Sequence, residues 1–489
     1  MPPHVFFYRT ALLVAIAFSS LVYHMVSYAQ SHVKDPTTPL PDTIAQALQQ
    51  AKIPAQALSA YVIALNESTP RLAWQEKIAR NPASTMKLVT TWSALELLGA
   101  NYRWRTEVYA DRLPINGILH SNIYVRGSGD PKLIPEEMSK LMQALRQAQI
   151  NEIDGNLVLD KSLFVARPDA DQTIDGNIDR PYNVPPDPLL YAFKSLVFSL
   201  SPDQNNKIAV TATPALAQLK INNALNQRPH KRRKQSCNAW RAQVQRQGSG
   251  IITASFNGNY PLHCGEQQYF ISLLSHDEFF WGGFVSEWKN AGGQFTRLPN
   301  LSEGHIPATA TLIAYHDSPP LLEIINDINK NSNNVMARQL FLTLGIKLNG
   351  VPAYGPSTAK ALKTWLSTQG LDMPELDIDN GAGLSRTTRI SAFHMAKLLQ
   401  RADNSPLITS LPIVGVDGTM KHRLIDTPAA GNAWRKTGTL KDVRAIAGYA
   451  NDKLGQRYIV VGMINHDNAM ATGKKVLDTL LEWVAQGAQ

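Results

Sequence analysis

At 489 residues the chain is long enough for two or three domains. Its 48 Lys and Arg against 39 Asp and Glu give a formal charge of +9, which suits anionic cell-envelope polymers or lipids, but no nucleic-acid motif accompanies that charge and no nucleic-acid partner is expected. Two cysteines, with no His/Cys/carboxylate group at metal-ligand spacing, leave no expectation of a metal or other cofactor, and neither an internal repeat nor a long disordered tract is present.

The first 29 residues hold no acidic group and one basic group, Arg9. An apolar run from Ala11 to Val22 leads to Ser27-Tyr28-Ala29, so residues 1–29 read as a secretory signal cleaved after Ala29. Losing Arg9 takes the charge from +9 to +8. The apolar run is short for a membrane span of about 20 residues, so at most peripheral membrane association is expected.

Residues 59–65 and 70–75 read as two strands joined by the turn Asn66-Glu-Ser-Thr-Pro70. A helix entry at Asn81-Pro82 follows, with Leu88, Trp92, Leu95 and Leu98 at helical spacing and a stop at Gly99. From 101 to 300 the texture changes. Thr106–Ala110 and Ile118–Val125 form a hairpin pattern around Pro114-Ile-Asn-Gly117. A helix over Pro135–Gln147, a strand over Gly155–Asp160, a Pro-rich stretch at 180–188 and alternating segments near 207–222 come next. The basic run Arg228–Lys234 reads as a solvated loop rather than a binding patch. Cys237 and Cys264 fall in the same region, and in an oxidising compartment they would form a local disulfide.

Near the C-terminus, Trp434–Gly438, Arg444–Ala450 and Arg457–Ile464 read as three successive strands, with Asn451-Asp452 and Gly455 turning the last two. The closing segment Gly473–Val484 carries Val476, Leu477, Leu480, Leu481 and Val484 on one helical face. Asp478 and Glu482 interrupt that stripe, which suits a helix packed on a sheet better than a membrane anchor. Strands from both ends with helices between them define an α+β fold. Its single domain, residues 30–100 and 301–489, is split in sequence by an inserted region over 101–300.

Three short strings carry the chemistry: Ser84-Thr85-Met86-Lys87, Ser332-Asn333-Asn334 and Lys436-Thr437-Gly438. Ser-x-x-Lys alone is ambiguous, because it also occurs at Ser31–Lys34, Ser286–Lys289 and Ser357–Lys360. No Ser-x-Asn separates Ser357 from Lys436, Ser31 sits in a polar Pro-containing stretch, and the glycines around Ser286 allow a short helix at most. Ser84 alone has a strong helix behind it.

A serine hydroxyl needs a base to become a nucleophile. Three residues along a helix, Lys87 shares a face with Ser84. To act as that base it must be neutral, with its pKa brought from about 10.4 towards roughly 7–8 by burial and a nearby cation, for which Lys436 is the candidate. Ser332 would pass the proton to a leaving nitrogen, and the Asn334 amide would hold a peptide oxygen. Lys436, Thr437 and Thr439 would bind a carboxylate beside Gly438, and the N–H groups of Ser84 and Thr439 would form an oxyanion hole. Each string has a plainer reading, a helix cap for Asn331-Ser-Asn-Asn334 and a strand-end turn for Lys-Thr-Gly. Their conjunction in this order is what points to acyl transfer.

With these strings the chain resembles the low-molecular-mass class C penicillin-binding proteins, the D-alanyl-D-alanine carboxypeptidase/endopeptidase family, a group whose motifs are named among general catalytic signatures. Gly127-Ser-Gly-Asp-Pro131, Asn380-Gly-Ala-Gly-Leu-Ser-Arg386, Gly415-Val-Asp-Gly-Thr419 and the long insertion support it. The resemblance implies a β-lactamase/transpeptidase-like catalytic domain, with two nested, mostly β domains inserted. It also implies a bacterial periplasmic enzyme that cleaves peptidoglycan stem peptides through an acyl-enzyme and is inhibited covalently by β-lactam antibiotics. The positions matching the residues around a diaminopimelate side chain are Asp160, Arg386 and Lys441. Ala382 stands where serine is common in relatives, and Lys441 where glutamine occurs. Two alternatives compete: a serine β-lactamase, for which Pro374-Glu375-Leu376-Asp377 is a near miss to the deacylating glutamate, and a catalytically vestigial peptidoglycan-binding protein.

Overall fold

A computed structural model of the chain describes residues 39–167, 173–203, 207–228, 236–237, 240–247 and 250–488. The expected signal segment, the Ser31 copy of Ser-x-x-Lys and the basic run Arg228–Lys234 (save the backbone of Arg228) lie outside these residues.

Helix α1 (Asp42–Gln50) buries Ile44, Ala47 and Leu48. Strand β1 (Leu58–Ala64) is buried along its whole length and pairs antiparallel with β2 (Leu72–Trp74), β2 within the suggested span and β1 one residue earlier than its own. A 3₁₀ turn, Ala83–Met86, then runs directly into α2 (Lys87–Leu98). Gly99 ends that helix at φ +84°, a conformation that glycine adopts without strain.

The inserted region begins with β3 (Arg105–Ala110), β4 (Ile118–Leu119), β5 (Ile123–Arg126), α3 (Pro135–Gln147), β6 (Glu152–Ile153) and β7 (Leu157–Asp160). β3 and β5 pair antiparallel as the hairpin reading required. The Pro114–Gly117 turn, however, does not join them. Asn116 and Gly117 both take positive φ (50° and 81°), and Ile115 and Ile118 exchange backbone hydrogen bonds across them. The Asn-Gly pair therefore closes a small hairpin of its own, and β4 leaves to pair in parallel with β6.

Next come β8 (Leu196–Pro202), β9 (Ile208–Thr213), β10 (Leu219–Arg228), β11 (Trp240–Arg246), β12 (Ile252–Pro261) and β13 (Gln267–Ile271), which form two three-stranded sheets, β13-β8-β9 and β10-β12-β11. Cys237 and Cys264 are disulfide-bonded, with Cα atoms 5.7 Å apart.

Ser286 lies in α4 (His276–Asn290), a helix of fifteen residues rather than the short one expected. Ser275 and Glu278 form a capping box at its start. Packing favours its internal glycines: a Cβ on Gly283 would lie 2.1 Å from the Tyr191 ring, and one on Gly282 would displace the end of the Gln218 side chain. β14 (Gln294–Phe295), β15 (Leu301–Glu303) and β16 (Thr311–Asp317) complete the region, the last two as the edges of the sheet β15-β7-β5-β3-β16. Pairing in this region thus continues past residue 300 to Asp317. Its core gathers Val108, Val125, Leu141, Leu159, Phe280 and Trp288.

The chain then returns through α5 (Leu321–Asn331), α6 (Asn334–Asn349), α7 (Gly355–Thr368) and α8 (Ala392–Arg401) to β17 (Ala433–Leu440), β18 (Val443–Asn451) and β19 (Arg457–Asn465), and ends in α9 (Lys474–Ala485). The five strands form one antiparallel sheet ordered β17-β18-β19-β1-β2. Alternation along the strands sorts the two faces. Tyr61, Ile63, Ala447, Ile459 and Val461 pack with the α2, α5, α6 and α8 side. Ala60, Val62, Ile446, Val460 and Ile464 pack with α1 and α9. The architecture is α+β, and the closing helix lies on the sheet. Among the described residues no helix is long and apolar enough to cross a membrane.

Leu480 on α9 is 1 % exposed in that second layer. Leu480→Ala is expected to destabilise the fold by about 2–5 kcal/mol, read as a fall in thermal midpoint. An unchanged midpoint would show that α9 does not pack as described.

Candidate active site

The Ser84 turn is held in an unusual shape. Ala83 has φ +46°, a region costly for a residue with a Cβ. The Asn81 side chain supports it: Oδ1 accepts the Ala83 N–H at 2.9 Å, and Nδ2 donates to Ser385 O at 2.9 Å. Asn465, at the end of β19, brackets the Asn81 main chain in turn. Its Oδ1 accepts the Asn81 N–H at 2.8 Å, and its Nδ2 donates to Asn81 O at 3.0 Å. The sequence marked Asn81 only as a helix entry and Asn465 not at all, and it contains no local signal that would link positions so far apart.

Lys87 opens α2, and its Nζ lies 3.0 Å from Ser84 Oγ. The same nitrogen donates to Asn334 Oδ1 and to Ala382 O, both at 2.7 Å. Because the Ala382 contact uses the main chain, it is indifferent to alanine standing where relatives have serine. Lys87 is wholly buried. Burial above all, then the charges of Lys436 and Arg338, hold its pKa well below the ordinary lysine value.

Ser332 sits in a left-handed conformation (φ 56°, ψ 36°) between α5 and α6. The capping role falls to Asn333, which accepts the Met336 N–H at 3.1 Å. Its neighbours are thereby free for the site: Ser332 Oγ accepts from Lys436 Nζ at 2.8 Å, while Asn334 meets Lys87. Lys436 also donates to Thr437 O at 3.0 Å. It is fully buried, and burial pushes its pKa down to about 7.

Strand β17 is the edge of its sheet. Arg435 N–H and Ala433 O point outward, to Pro412 O and Val414 N–H. Antiparallel alternation therefore aims the N–H groups of Thr437 and Thr439 along the same open edge. The Lys436 side chain and the bare Cα of Gly438 lie on the face towards the Ser84 turn. A Cβ on Gly438 would lie 2.5 Å from Pro82 O and 3.1 Å from Ser84 N, so only glycine lets the strand approach. On the other face Thr437 Oγ1 lies 3.0 Å from Thr419 Oγ1. Thr419 is a further hydroxyl at the site, from a string the sequence noted without a role.

The loop 380–386 closes the third side. Gly383 (φ +72°) abuts the Ser84 turn so tightly that a Cβ there would fall 1.9 Å from Ala83 O. Beyond the loop lies a cavity of about 960 Å³ lined by Asp160, Asp187, Glu303, Arg338, Asp379 and Arg386, among others. Asp160 is buried. Burial raises its pKa, but the Ser162 hydroxyl and amide, the Ile306 amide and Arg126 outweigh that and hold it below the usual value. Arg386 donates to Asp442 at 3.0 Å. Lys441 lies exposed in the turn joining β17 to β18 and is not among the residues lining the cavity. The other described Ser-x-x-Lys copies lie in α4 and α7.

Among the described residues, Cys237, His263 and Cys264 are grouped with ligand atoms within 4.8 Å of one another. The two sulfurs are bonded to each other and offer no thiolate.

A serine and two buried lysines meeting at the edge of an antiparallel sheet define a serine acyl-transfer protein. Residues 40–486 match the D-Ala-D-Ala carboxypeptidase 3 (S13) family, and the chain belongs to it. It is 25% identical over 478 residues to the D-alanyl-D-alanine carboxypeptidase DacB of Haemophilus influenzae, covering 93% of this chain and 91% of that one. It is 26% identical over 431 residues to the D-alanyl-D-alanine carboxypeptidase of Actinomadura sp. (strain R39), covering 83% and 77%. The crystal structure of penicillin-binding protein 4 from H. influenzae shares the fold, with a TM-score of 0.73 over 90% of this chain and 98% of that one at 21% identity. A complex of that protein with a β-lactam matches with a TM-score of 0.69.

Removing the Asn465 amide leaves the Asn81 N–H and C=O without these partners. Asn465→Ala is expected to cost about 1–3 kcal/mol in urea unfolding and to slow acylation of Ser84 by a labelled β-lactam about ten- to hundredfold. Unaltered acylation would show that the turn holds its shape without Asn465.

Proposed function

We propose that this protein is a serine D-Ala-D-Ala carboxypeptidase acting on peptidoglycan stem peptides in the bacterial periplasm, with Ser84 as the acylated residue. One observation carries the reading: the Lys87 Nζ is 3.0 Å from Ser84 Oγ and 2.7 Å from two carbonyl oxygens. A neutral amine has two hydrogens and one lone pair. The carbonyls of Asn334 and Ala382 take the hydrogens, which leaves the lone pair for the Ser84 proton.

Ser84 Oγ attacks the carbonyl of the penultimate D-Ala as its proton passes to Lys87. The developing oxyanion receives the N–H groups of Ser84 and Thr439, each such donor being worth roughly 2.7–4 kcal/mol. The C–N bond breaks as the leaving nitrogen gains a proton through Ser332, relayed within the Lys436 hydrogen bond. Asn334 orients the peptide oxygen, while Lys436, Thr437 and Thr439, with Gly438 leaving room, hold the terminal carboxylate. Water then cleaves the ester and returns D-Ala-ended peptide and free Ser84. Cleavage of D-Ala–diaminopimelate cross-links would follow the same steps, with Asp160 and Arg386 in the cavity offering a carboxylate and a guanidinium to the zwitterionic side chain. The inserted region over 101–300 would serve as the domains that build this cavity.

The β-lactamase alternative needs a glutamate to activate the deacylating water. Glu375 is engaged elsewhere: burial raises its pKa, but His394 at 2.6 Å and the Ser391 N–H at 3.0 Å prevail and hold it at about 2. β-Lactams should therefore leave a long-lived adduct.

Mixing the protein with penicillin is expected to give a stoichiometric adduct at Ser84, seen by mass spectrometry of the labelled peptide; rapid drug hydrolysis would refute the assignment. Ser84→Ala should abolish D-Ala release from a stem pentapeptide. Lys87→Ala should acylate slowly or not at all while substrate binding is largely kept, and normal labelling would remove Lys87 as the base.

The pH dependence has a definite sign. The active Lys87 is neutral, so acylation rises with pH, and because its folded pKa is lowered the rise is complete well below about 10.4. With Lys436 near 7 beside it, the limbs of the kcat/KM profile belong to the pair. An ascending limb at the ordinary lysine value would contradict this.

A further inference from the structure

Register places Arg444 of β18 directly opposite Thr439 of β17. Residues paired in this way share a face, so Arg444 stands on the side that carries the Thr437 and Thr439 hydroxyls. Its Nη1 donates to Thr439 Oγ1 at 2.7 Å. Its Nη2 donates to Met470 O at 3.0 Å, and Nε is buried without an acceptor. Among the described residues no carboxylate pairs with Arg444. Two nearby arginines differ, Arg423 being paired with Asp478 and Arg386 with Asp442, while the wholly buried Arg435 of β17 donates to Val460 O. The acidic complement that a half-buried guanidinium ordinarily has is missing at the rim of the groove.

The bond to Thr439 has a directional consequence. A hydroxyl that accepts from a guanidinium has its own proton left to donate, and the adjacent positive charge strengthens that donor. Thr439 is thereby committed as a donor towards whatever lies along the open edge of β17.

We propose that Arg444 is a positioning and specificity-determining residue: acting through Thr439, and adding an unpaired positive charge, it makes the site select substrates whose leaving residue has a free α-carboxylate over the same substrates with that group amidated. This deepens the proposed carboxypeptidase reading and rests on it. The same requirement would apply to a cross-link, where the residue released across the scissile bond also carries an α-carboxylate.

The test compares kcat/KM on two peptides, one ending in D-Ala-D-Ala and its twin ending in D-Ala-D-alaninamide, for the full chain and for Arg444→Gln. The loss of a charge-assisted contact is expected to lower kcat/KM for the acid about ten- to hundredfold and to leave the amide within about twofold, so the preference collapses. Arg444→Lys should restore part of the preference, and combining Arg444→Gln with Thr439→Val should cost little more than either change alone. An equal loss on both peptides, or none on the acid, would overturn the role of Arg444. If Arg444→Gln does not fold, the lysine variant decides: a preference no smaller than that of the parent chain would overturn it equally. A parent chain that releases no D-Ala and forms no Ser84 adduct would instead bring down the carboxypeptidase reading.

Discussion

The structure turns on the burial of two lysines without a counter-ion. Lys87 and Lys436 are both fully enclosed, and among the described residues neither meets a carboxylate. Enclosing an ammonium in this way is expensive unless the group gives up its proton or finds oxygen ligands. Here the oxygens come from distant stretches of chain: Ser84 and Ser332 hydroxyls, the Asn334 amide and the main chain at Ala382 and Thr437. A carboxylate in this place would stabilise the protein and hold both lysines charged. Its absence keeps their protons mobile, which is the condition for moving one from a serine to a leaving amine.

The stretch from Asn183 to Asp187 contributes to that convergence from outside. Helix α6 begins with Asn334, and one turn later Gln339 bonds both polar groups of the Asp187 main chain, at 2.9 Å and 2.8 Å. Beside it Arg338 donates to Asn183 O and Val184 O. The helix presenting the amide to Lys87 is therefore clamped near its start by residues some 150 positions earlier in the chain, as the sequence separations of 152 to 155 show. The cavity lies at this junction, so its shape and the aim of Asn334 share supports.

Much of this was legible in the sequence because the chemistry is carried by few residue types at fixed offsets. Order among the three strings together with helix context singled out Ser84 as the candidate, and the strand and helix patterns at both ends pointed to the sheet and α9. What escaped has physical causes. α4 looked too glycine-rich to be long, because the neighbours packed against Gly282 and Gly283 are Gln218 and Tyr191, far away in sequence. The hairpin's turn was misplaced, because the Asn116-Gly117 pair closes on its nearest neighbours, Ile115 and Ile118, instead of joining β3 to β5. Asn81 and Asn465, 384 positions apart, have no periodicity or spacing to betray them. Local signals reveal elements; contacts made only in the assembled fold do not announce themselves.

The sheet that seats the nucleophile is made from the two ends of the chain: β1 and β2 from one, β17 to β19 from the other. During synthesis or threading from the N-terminal end, Ser84 emerges among the first elements, yet its turn acquires Asn465, Gly438 and Lys436 only when almost everything else has appeared. Until then the serine is an ordinary hydroxyl beside an ordinary solvated lysine. Such late, long-range closure makes folding slow, but it also gives the chain a form of timing. Partial products and C-terminally clipped molecules hold the whole Ser-x-x-Lys string and have no means of attacking a bond with it.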